Sequence, residues 1–293
     1  MKTAIIINPQ AGRGKCKKIW PAIKKIIMSQ GIDCESYFTK SPGHASSLAK
    51  TLEIKGFQKI IVMGGDGTLH EVVNGLDTEN VVLGIIPAGT GNDFCRSLGI
   101  PLNPQTAAKT LFEAKEVRLD IGRVNDRFFV NVAGVGFDAQ VAEEVNNNVK
   151  WLTGTAAYLF ALFKLLISYR NIPLKIILDK NVVLDIKSFL LAVGNAQYYG
   201  GGMRIVPSAV IDDGFFHVCV AGNVNRLEVL TTLPKIFSGK HTEHSQVKEY
   251  KVKEIEIFSD YKAAVHADGE IVGYLPAKFT MLPGKLRFLL PGK

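Results

Sequence analysis

The apolar residues of the chain keep two successive rhythms, and the change between them predicts two domains. Through the first third, "TAIIIN", "QKIIVM" and "VVLGIIP" are short, wholly apolar runs closed by turn residues, the pattern of strands covered on both faces. Between them lie longer amphipathic stretches. "KCKKIWPAIKKIIMSQG" carries Ile19, Ile23, Ile26 and Ile27 at helical spacing and stops at Gly31. "DCESYFT" reads as another strand and "HASSLAKTLEIKG" as another helix. Alternation of this kind predicts an α/β N-terminal domain with a mostly parallel sheet and helices on both faces.

Around Val117 the rhythm becomes that of hairpins. "VRLDIGRVNDRFFVNVAG" places Asn125-Asp126 between two β-rich runs, and "LKIILDKNVVLDIKSFLLAVGN" repeats the form with Lys180-Asn181 at its turn. "GFFHVCVA", "YKVKEIEIFS", "KAAVHAD" and "KLRFLL" add strands, and "NRLEVLTTLPKIFSG" is one of few helices. The second domain is therefore expected to be a β-rich antiparallel sandwich. The boundaries drawn are 1–122 for the first domain and 123–282 for the second, with the return of 283–293 to the first domain left open. One stretch, "WLTGTAAYLFALFKLLISYR" at 151–170, is apolar enough to raise the question of a membrane span. Lys164 interrupts it, and its apolar run is shorter than the roughly 20 residues a span needs. It reads as a buried or surface-seated helix whose Tyr158, Phe160, Phe163 and Tyr169 would suit a lipid interface.

At 293 residues and 47% hydrophobic content the chain has material for a sizeable core in each domain. Its net charge of +8 favours an anionic partner: phosphate, nucleic acid or an acidic membrane face. No helix-turn-helix, RNP or zinc-finger signature accompanies that charge, so nucleic acid is not expected. Four cysteines, Cys16, Cys34, Cys95 and Cys219, form no Cys-x-x-Cys pair and read as reduced thiols of a cytoplasmic protein. The opening "MKTAIIINPQ" has too short an apolar run for a signal peptide and reads as a first strand.

The chemistry concentrates where strands end. "IIVMGGDGTLHEVVNGL" passes from a strand through Gly64, Gly65, Asp66 and Gly67 into a helix with Leu69, Val72, Val73 and Leu76 as its apolar stripe. Thr68-x-x-Glu71 fits a capping box. Glycines remove side chains just where helix amides are unpaired, which is a site for an anion. An acid there, Asp66, makes chemical sense if Mg²⁺ lies between it and a phosphate. A lone Gly-Gly-Asp-Gly is weak evidence, because tight turns use the same residues. However, "IIPAGTGNDFCRSLGIP" and "INPQAGRGK" also follow strands with glycine-rich turns. Three such loops at the carboxyl edge of one sheet predict a nucleotide phosphate site. The chain carries no G-x-x-x-x-G-K-[ST] loop and no protein-kinase motif set.

"GGDGTLHEVVNGL" together with "IPAGTGNDFCRSLGIP" resembles the catalytic region of the diacylglycerol kinase, sphingosine kinase and ceramide kinase superfamily, and most closely its bacterial soluble lipid kinases. The likeness spans essentially the whole chain, with His70 a departure where bacterial relatives often carry Asn. It implies ATP contact at Asn8, Pro9, Gln10, Ala11 and Gly12, at Thr39, at Gly64, Gly65, Asp66, Gly67, Thr68, Leu69 and His70, and at Thr90. It implies an aspartate–water–Mg²⁺ network through Asp66 and Asp93. "AAVHADGEIVGYLP" resembles the family's Asp-Gly-Glu element, with Glu270 favoured as the proton acceptor and Asp268 as its neighbour, their roles open to exchange. "PSAVIDDGFFHV" resembles a structural Mg²⁺ site of the Asp213 side chain with the Val210 and Phe215 carbonyls.

The expectation is an ATP-dependent lipid kinase acting on diacylglycerol or a related lipid at the membrane surface. It would be cytoplasmic and peripherally membrane-associated, with a homodimer compatible with the resemblance. The alternative is an NAD kinase-like enzyme with a soluble substrate, since Gly-Gly-Asp-Gly suits that class too. His241 and His244 are expected in a solvated loop, without a metal. "YYGGGM" at 198–203 is either the border of a lipid cleft or a flexible loop.

Overall fold

The computed structural model describes residues 2–292 except 112, 150, 151, 153 and 154. Its residues form two compact units, Met1–Leu119 with Gly284–Lys293, and Asp120–Pro283.

The first unit runs β1 (Thr3–Ile7), α1 (Lys15–Ser29), β2 (Cys34–Phe38), α2 (His44–Ile54), β3 (Lys59–Gly64), α3 (Asp66–Val73), β4 (Val82–Pro87), α4 (Asp93–Ser97) and α5 (Pro104–Leu111). Strands β2, β1, β3 and β4 lie side by side in that order, all parallel. The apolar runs read from sequence are the central strands, buried on both faces. The mixed "CESYF" is the edge, where Glu35, Ser36 and Phe38 are exposed and no residue is fully buried. One layer of the core joins Ile5, Ile7, Ile61, Met63 and Ile86 of the sheet to Ile23 and Ile27 of α1. Because β1, β3 and β4 point the same way, the loops that follow them emerge along one edge.

The chain continues as β5 (Lys115–Val124), β6 (Arg127–Phe129), β7 (Val132–Gly136), α6 (Phe137–Asn148), α7 (Thr155–Leu166), β8 (Ile172–Leu178), β9 (Val182–Ser188), β10 (Leu190–Gly194), β11 (Phe216–Ala221) and α8 (Arg226–Ile236). It ends with β12 (Val247–Val252), β13 (Glu254–Phe258), β14 (Ala264–Ala267), β15 (Glu270–Tyr274) and β16 (Ala277–Leu290). In the second unit, one antiparallel sheet has the order β12-β11-β10-β7-β14-β15. Strands β9, β8, β13 and the first half of β16 form the facing antiparallel layer. Between them Phe129 stacks on Phe216 at 5.5 Å and meets Phe279 edge-on at 6.4 Å. The other face of the six-stranded sheet is covered by α6, α7 and α8, through residues such as Phe137, Ala161, Leu166 and Leu233. Strands β10 and β11 are thus buried on both sides, which accounts for the unbroken "LLAVG" and "FHVCVA".

Several expectations need correction. "DIKSFLLAVGN" and "YKVKEIEIFS" each read as one strand but are two, broken at Phe189 and Lys253. At each break the chain leaves one sheet of the sandwich for the other, and continuous β propensity cannot reveal that. The β8–β9 turn is centred on Asp179 and Lys180, both at positive φ, one residue earlier than expected. Helix α6, with its polar run of Glu and Asn, was not anticipated. Thr68 and Glu71 do not form a capping box. The helix starts at Asp66, so Thr68 lies within its first turn, while the Glu71 carboxylate accepts the Gly43 and Ala45 amides at the start of α2. The reciprocal box is at α8, between Asn225 and Glu228.

The apolar stretch at 151–170 forms α7 from Thr155, with Trp151 outside the described residues. Ala157, Ala161, Leu162 and Leu166 face the core, and Lys164 pairs with Glu144 at 2.6 Å. Phe160, Phe163 and Ile167 stand 41%, 48% and 73% exposed, one apolar stripe left outside. Tyr169 is not part of that stripe. Its hydroxyl donates to the Phe189 carbonyl at 2.9 Å, and its ring packs on Phe137. Among the described residues, no helix is long and apolar enough to cross a membrane.

Candidate functional site

The three glycine-rich loops of the first unit meet in pairs. Asn8 after β1 donates from Nδ2 to Thr68 Oγ1 after β3, at 3.0 Å. The Ala88 and Gly89 amides after β4 donate to the Gly64 carbonyl, at 2.7 and 3.2 Å. Glycine is required at these junctions by space. A Cβ on Gly65 would lie 3.0 Å from the Gly89 Cα, and one on Gly89 would lie 2.6 Å from the Gly65 Cα. A Cβ on Gly12 would lie 2.5 Å from the Ala88 carbonyl oxygen. Asn92 fixes the third loop by accepting the Gly89 amide and donating back to the Gly89 carbonyl, both at 3.0 Å. The result is a backbone surface almost without side chains, at the N-terminus of α3.

Within this cradle Gln10, Gly67 and Thr90 are exposed, while Asn8, Pro9, Ala11, Gly12, Thr39, Gly65 and Asp66 are half-buried. The Thr39 amide donates to the Ile7 carbonyl, tying the loop after β2 to the end of β1. Thr68 and His70 are buried and Leu69 is fully so, which leaves the Leu69 side chain a packing role in the α3 core face. The Asp66 carboxylate accepts the Asp93 and Phe94 amides at 3.1 and 3.0 Å, so it anchors the first turn of α4. Asp93 itself is buried, 3.8 Å from the Arg96 guanidinium. Asp66 and Asp93 bring carboxylate oxygens to this edge, the donor type that Mg²⁺ takes.

The second candidate group lies in the β14–β15 turn of the other unit. The Asp268 carboxylate accepts three amides, from Val130 at 2.9 Å, Asn131 at 2.8 Å and Val132 at 3.2 Å. It pins the corner between β6 and β7, with its own φ at 51°. Glu270, two residues on, is exposed at the first position of β15. Of the two acids proposed from sequence, one has its oxygens filled by backbone and the other has its carboxylate in the open.

The Asp213 carboxylate is likewise occupied. Its Oδ2 receives the Lys251 ammonium at 2.9 Å and His217 Nε2 at 3.0 Å, and its Oδ1 accepts the Phe215 amide at 3.1 Å. Burial works to raise its pKa, but these hydrogen bonds outweigh it and leave the group below the ordinary aspartate range. The Lys251 ammonium thus takes one of the carboxylate oxygens that the expected Mg²⁺ site would use. Among the described residues, no three His, Cys, Asp or Glu side chains gather as a metal set.

His241, expected in solvent, is buried in a turn of 3-10 helix, its Nε2 at 2.9 Å from the Ile205 carbonyl. Desolvation lowers its pKa. The apolar residues of α8 and β11 around it are what bury it, and a short polar sequence cannot announce them. In "YYGGGM", Tyr199 bridges to Met203 and its ring stacks on His266 at 6.3 Å, so the segment is anchored to the sandwich. All four cysteines are free, and burial pushes Cys16 up to about 11 and Cys219 up to about 12, which leaves no reactive thiolate at these two. Sequence reasoning also missed the buried pair Asp138 and His266, 3.2 Å apart, because Asp138 lies in the unanticipated helix α6.

Comparison with known proteins agrees with this geometry. Residues 2–124 match the diacylglycerol kinase catalytic domain, and residues 131–290 match the YegS C-terminal NAD kinase β-sandwich-like domain. The chain is 32% identical over 293 residues to the diacylglycerol kinase of Staphylococcus carnosus (strain TM300), covering 99% of this chain and 95% of the relative. It is also 32% identical over 292 residues to that of Staphylococcus aureus (strain MRSA252), covering 99% and 92%. A crystal structure of a diacylglycerol kinase from Bacillus anthracis str. Sterne superposes with a TM-score of 0.76 at 26% identity, covering 99% of this chain and 96% of its own. A further structure from the same organism reaches a TM-score of 0.82 at 28% identity, covering 99% and 95%. The sandwich is a form shared with NAD kinases, so the discriminating match is the N-terminal one. The chain belongs to the diacylglycerol kinase family of lipid kinases.

Proposed function

We propose that this lipid kinase transfers the γ-phosphoryl group of ATP to a hydroxyl of diacylglycerol or a closely related lipid. The observation that carries the reading is the pairwise meeting of the loops at Gly12, Gly65 and Gly89, which leaves the start of α3 faced by glycine backbone and without a side-chain cap. A polyphosphate is the ligand that uses such a surface, because amide dipoles and a helix N-terminus stabilise negative charge without needing side chains. In this reading Asn8, Thr39 and Thr90 line the nucleotide, while Thr68 holds Asn8 in place. Asp66 and Asp93 would hold Mg²⁺ through water, and the ion when bound would offset charge on the phosphates. Glu270 takes the proton from the attacking hydroxyl, a role its exposed carboxylate favours over the amide-filled one of Asp268. Catalysis then rests on alignment and charge rather than on a covalent intermediate.

The lipid acceptor requires an interface. We assign that docking role to the exposed stripe of Phe160 and Phe163 on α7 with Ile167 just past its end. Replacing both phenylalanines with Ser is expected to weaken co-sedimentation with anionic vesicles about tenfold, on the order of 1–2 kcal/mol of lost apolar burial, while ATP binding is unchanged. Vesicle binding equal to that of the parent removes α7 from the membrane account.

The decisive assay supplies labelled ATP and Mg²⁺ with diacylglycerol in mixed micelles and follows the lipid product. Phosphorylated lipid is expected. ADP release that depends on NAD, with none from any lipid hydroxyl, reverses the assignment in favour of a soluble-substrate kinase.

A further inference from the structure

The β14–β15 turn is held from several directions by groups that the reaction itself does not consume. Asp138 opens α6 and His266 lies on β14, their side chains 0% and 2% exposed. His266 Nε2 is 3.2 Å from Asp138 Oδ2, and Asp138 Oδ1 accepts the Ala139 amide at 2.8 Å. The Gly269 amide donates to the other ring nitrogen, Nδ1, at 3.4 Å. An Nδ1 that accepts carries a lone pair, so the ring hydrogen is on Nε2 and is donated to Asp138. The carboxylate therefore selects the tautomer that can receive Gly269. Asn146, also on α6, donates to the Gly269 carbonyl at 2.9 Å. Together with the three amides on Asp268, these contacts fix both residues that precede Glu270.

The surroundings are shaped for the pair. Gly134 on β7 has no side chain because a Cβ there would lie 2.2 Å from Asp138 Oδ2 and 2.9 Å from His266 Nε2. Tyr199 lies nearly parallel to the imidazole, 15° between planes and 6.3 Å between ring centres. Burying a carboxylate and an imidazole is costly in desolvation, and an apolar pair of the same volume would hold the sheet as well. Polar groups kept at such a cost, aimed at one backbone amide, are explained by the need to hold that amide in one place.

We propose that Asp138 and His266 are positioning residues for Glu270, with Asp138 setting the imidazole tautomer and His266 fixing the Gly269 amide. This rests on Glu270 being the proton acceptor. A misplacement of about 1 Å at a catalytic group costs up to about 100-fold in rate, and the effect falls on turnover rather than on substrate binding.

The test begins with Glu270→Ala in the full-length enzyme. If that variant keeps full turnover, the base assignment itself fails, and the positioning role falls with it. If it is inactive, the pair is probed on its own. His266→Phe is expected to lower kcat about 10- to 100-fold with KM for ATP and lipid within about twofold. His266→Asn places an oxygen where Nδ1 was and keeps the acceptor for Gly269, whereas His266→Gln keeps only the partner of Asp138. Asn is expected to recover turnover to within about fivefold of the parent and Gln is not. Asp138→Asn cannot satisfy both the Ala139 amide and an Nε2–H ring, and is expected to fall about tenfold in kcat. Nitrogen chemical shifts of His266 in the parent should show Nε2 protonated and Nδ1 not. Normal kcat in His266→Phe, or Gln recovering as well as Asn, overturns the proposal while leaving Glu270 in place. Should His266→Phe not fold, the comparison of Asn with Gln decides.

Discussion

The two units differ in how they hold their candidate chemistry, although side chains such as Asn92 and Asp66 also tie the loops of the first. In the first, the loops after β1, β3 and β4 come together because side chains are missing: a Cβ on Gly12, Gly65 or Gly89 would meet the backbone of the neighbouring loop. In the second, the turn before Glu270 is held by side chains: Asp268 on three amides, Asn146 on a carbonyl, His266 on the Gly269 amide. The contrast follows from what each must present. An anion is recognised by amides, so the surface that meets it needs backbone exposed and nothing in front of it. A general base must project one carboxylate in a defined direction, and its backbone is placed by neighbours that do not themselves react.

The largest expected effect separates a reacting carboxylate from a structural one. Glu270→Ala should lower kcat about 1,000-fold with no change in the urea midpoint, within the range general-base removal produces. Asp268→Ala is expected to act on the fold instead, stranding the amides of Val130, Asn131 and Val132 in a half-buried corner. About 3 kcal/mol of stability should be lost, since each unsatisfied buried donor costs about 1–3 kcal/mol. If Asp268→Ala unfolds at the parent's denaturant concentration yet is inactive, the two acids exchange roles.

A smaller effect tests the glycine side of the comparison. Gly89→Ala forces its Cβ against the Gly65 Cα, and the loops must part by a few tenths of an ångström or more. About a 10- to 30-fold rise in the KM for ATP is expected, with the lipid KM within about twofold. Unchanged nucleotide affinity in a folded Gly89→Ala would mean that the close approach is packing alone.

This same contrast decides how much was legible beforehand. Strands buried on both faces are apolar throughout, and glycine-rich turns follow them in fixed order, so the parallel sheet and its three loops could be read from local sequence. The sandwich was legible as strands but not as sheets. Phe189 and Lys253 look like mid-strand residues, and only the packing of two layers makes them corners. Side-chain anchoring was the least visible. Asp268, Asp213 and Glu71 carry the same letters whether they react, bind a cation or accept amides. Their partners are 136–138 residues away for Asp268 and 26–28 away for Glu71. Asp138 and His266, separated by 128 residues, show neither motif nor period.

Asp213 gives the mildest test of the rule that the second unit builds its turns with side chains. Asp120 accepts the Gly214 amide, and Asp213 accepts the Phe215 amide while pairing with His217 and Lys251. The Asp213 pKa is lower in the folded chain than the ordinary value, since the hydrogen bonds outweigh desolvation. A depressed carboxylate stabilises the fold above its unfolded pKa and loses that contribution as pH falls through the folded one. The parent should therefore exceed Asp213→Asn by about 1 kcal/mol near neutrality, a modest figure for a partly exposed pair. That margin should shrink as pH drops below about 4, the ordinary aspartate range. Urea melts of both proteins between neutrality and pH 3 measure it. A margin that appears only when Mg²⁺ is added would instead make Asp213 a metal ligand, with Lys251 displaced, and would return this turn to the role its sequence first implied.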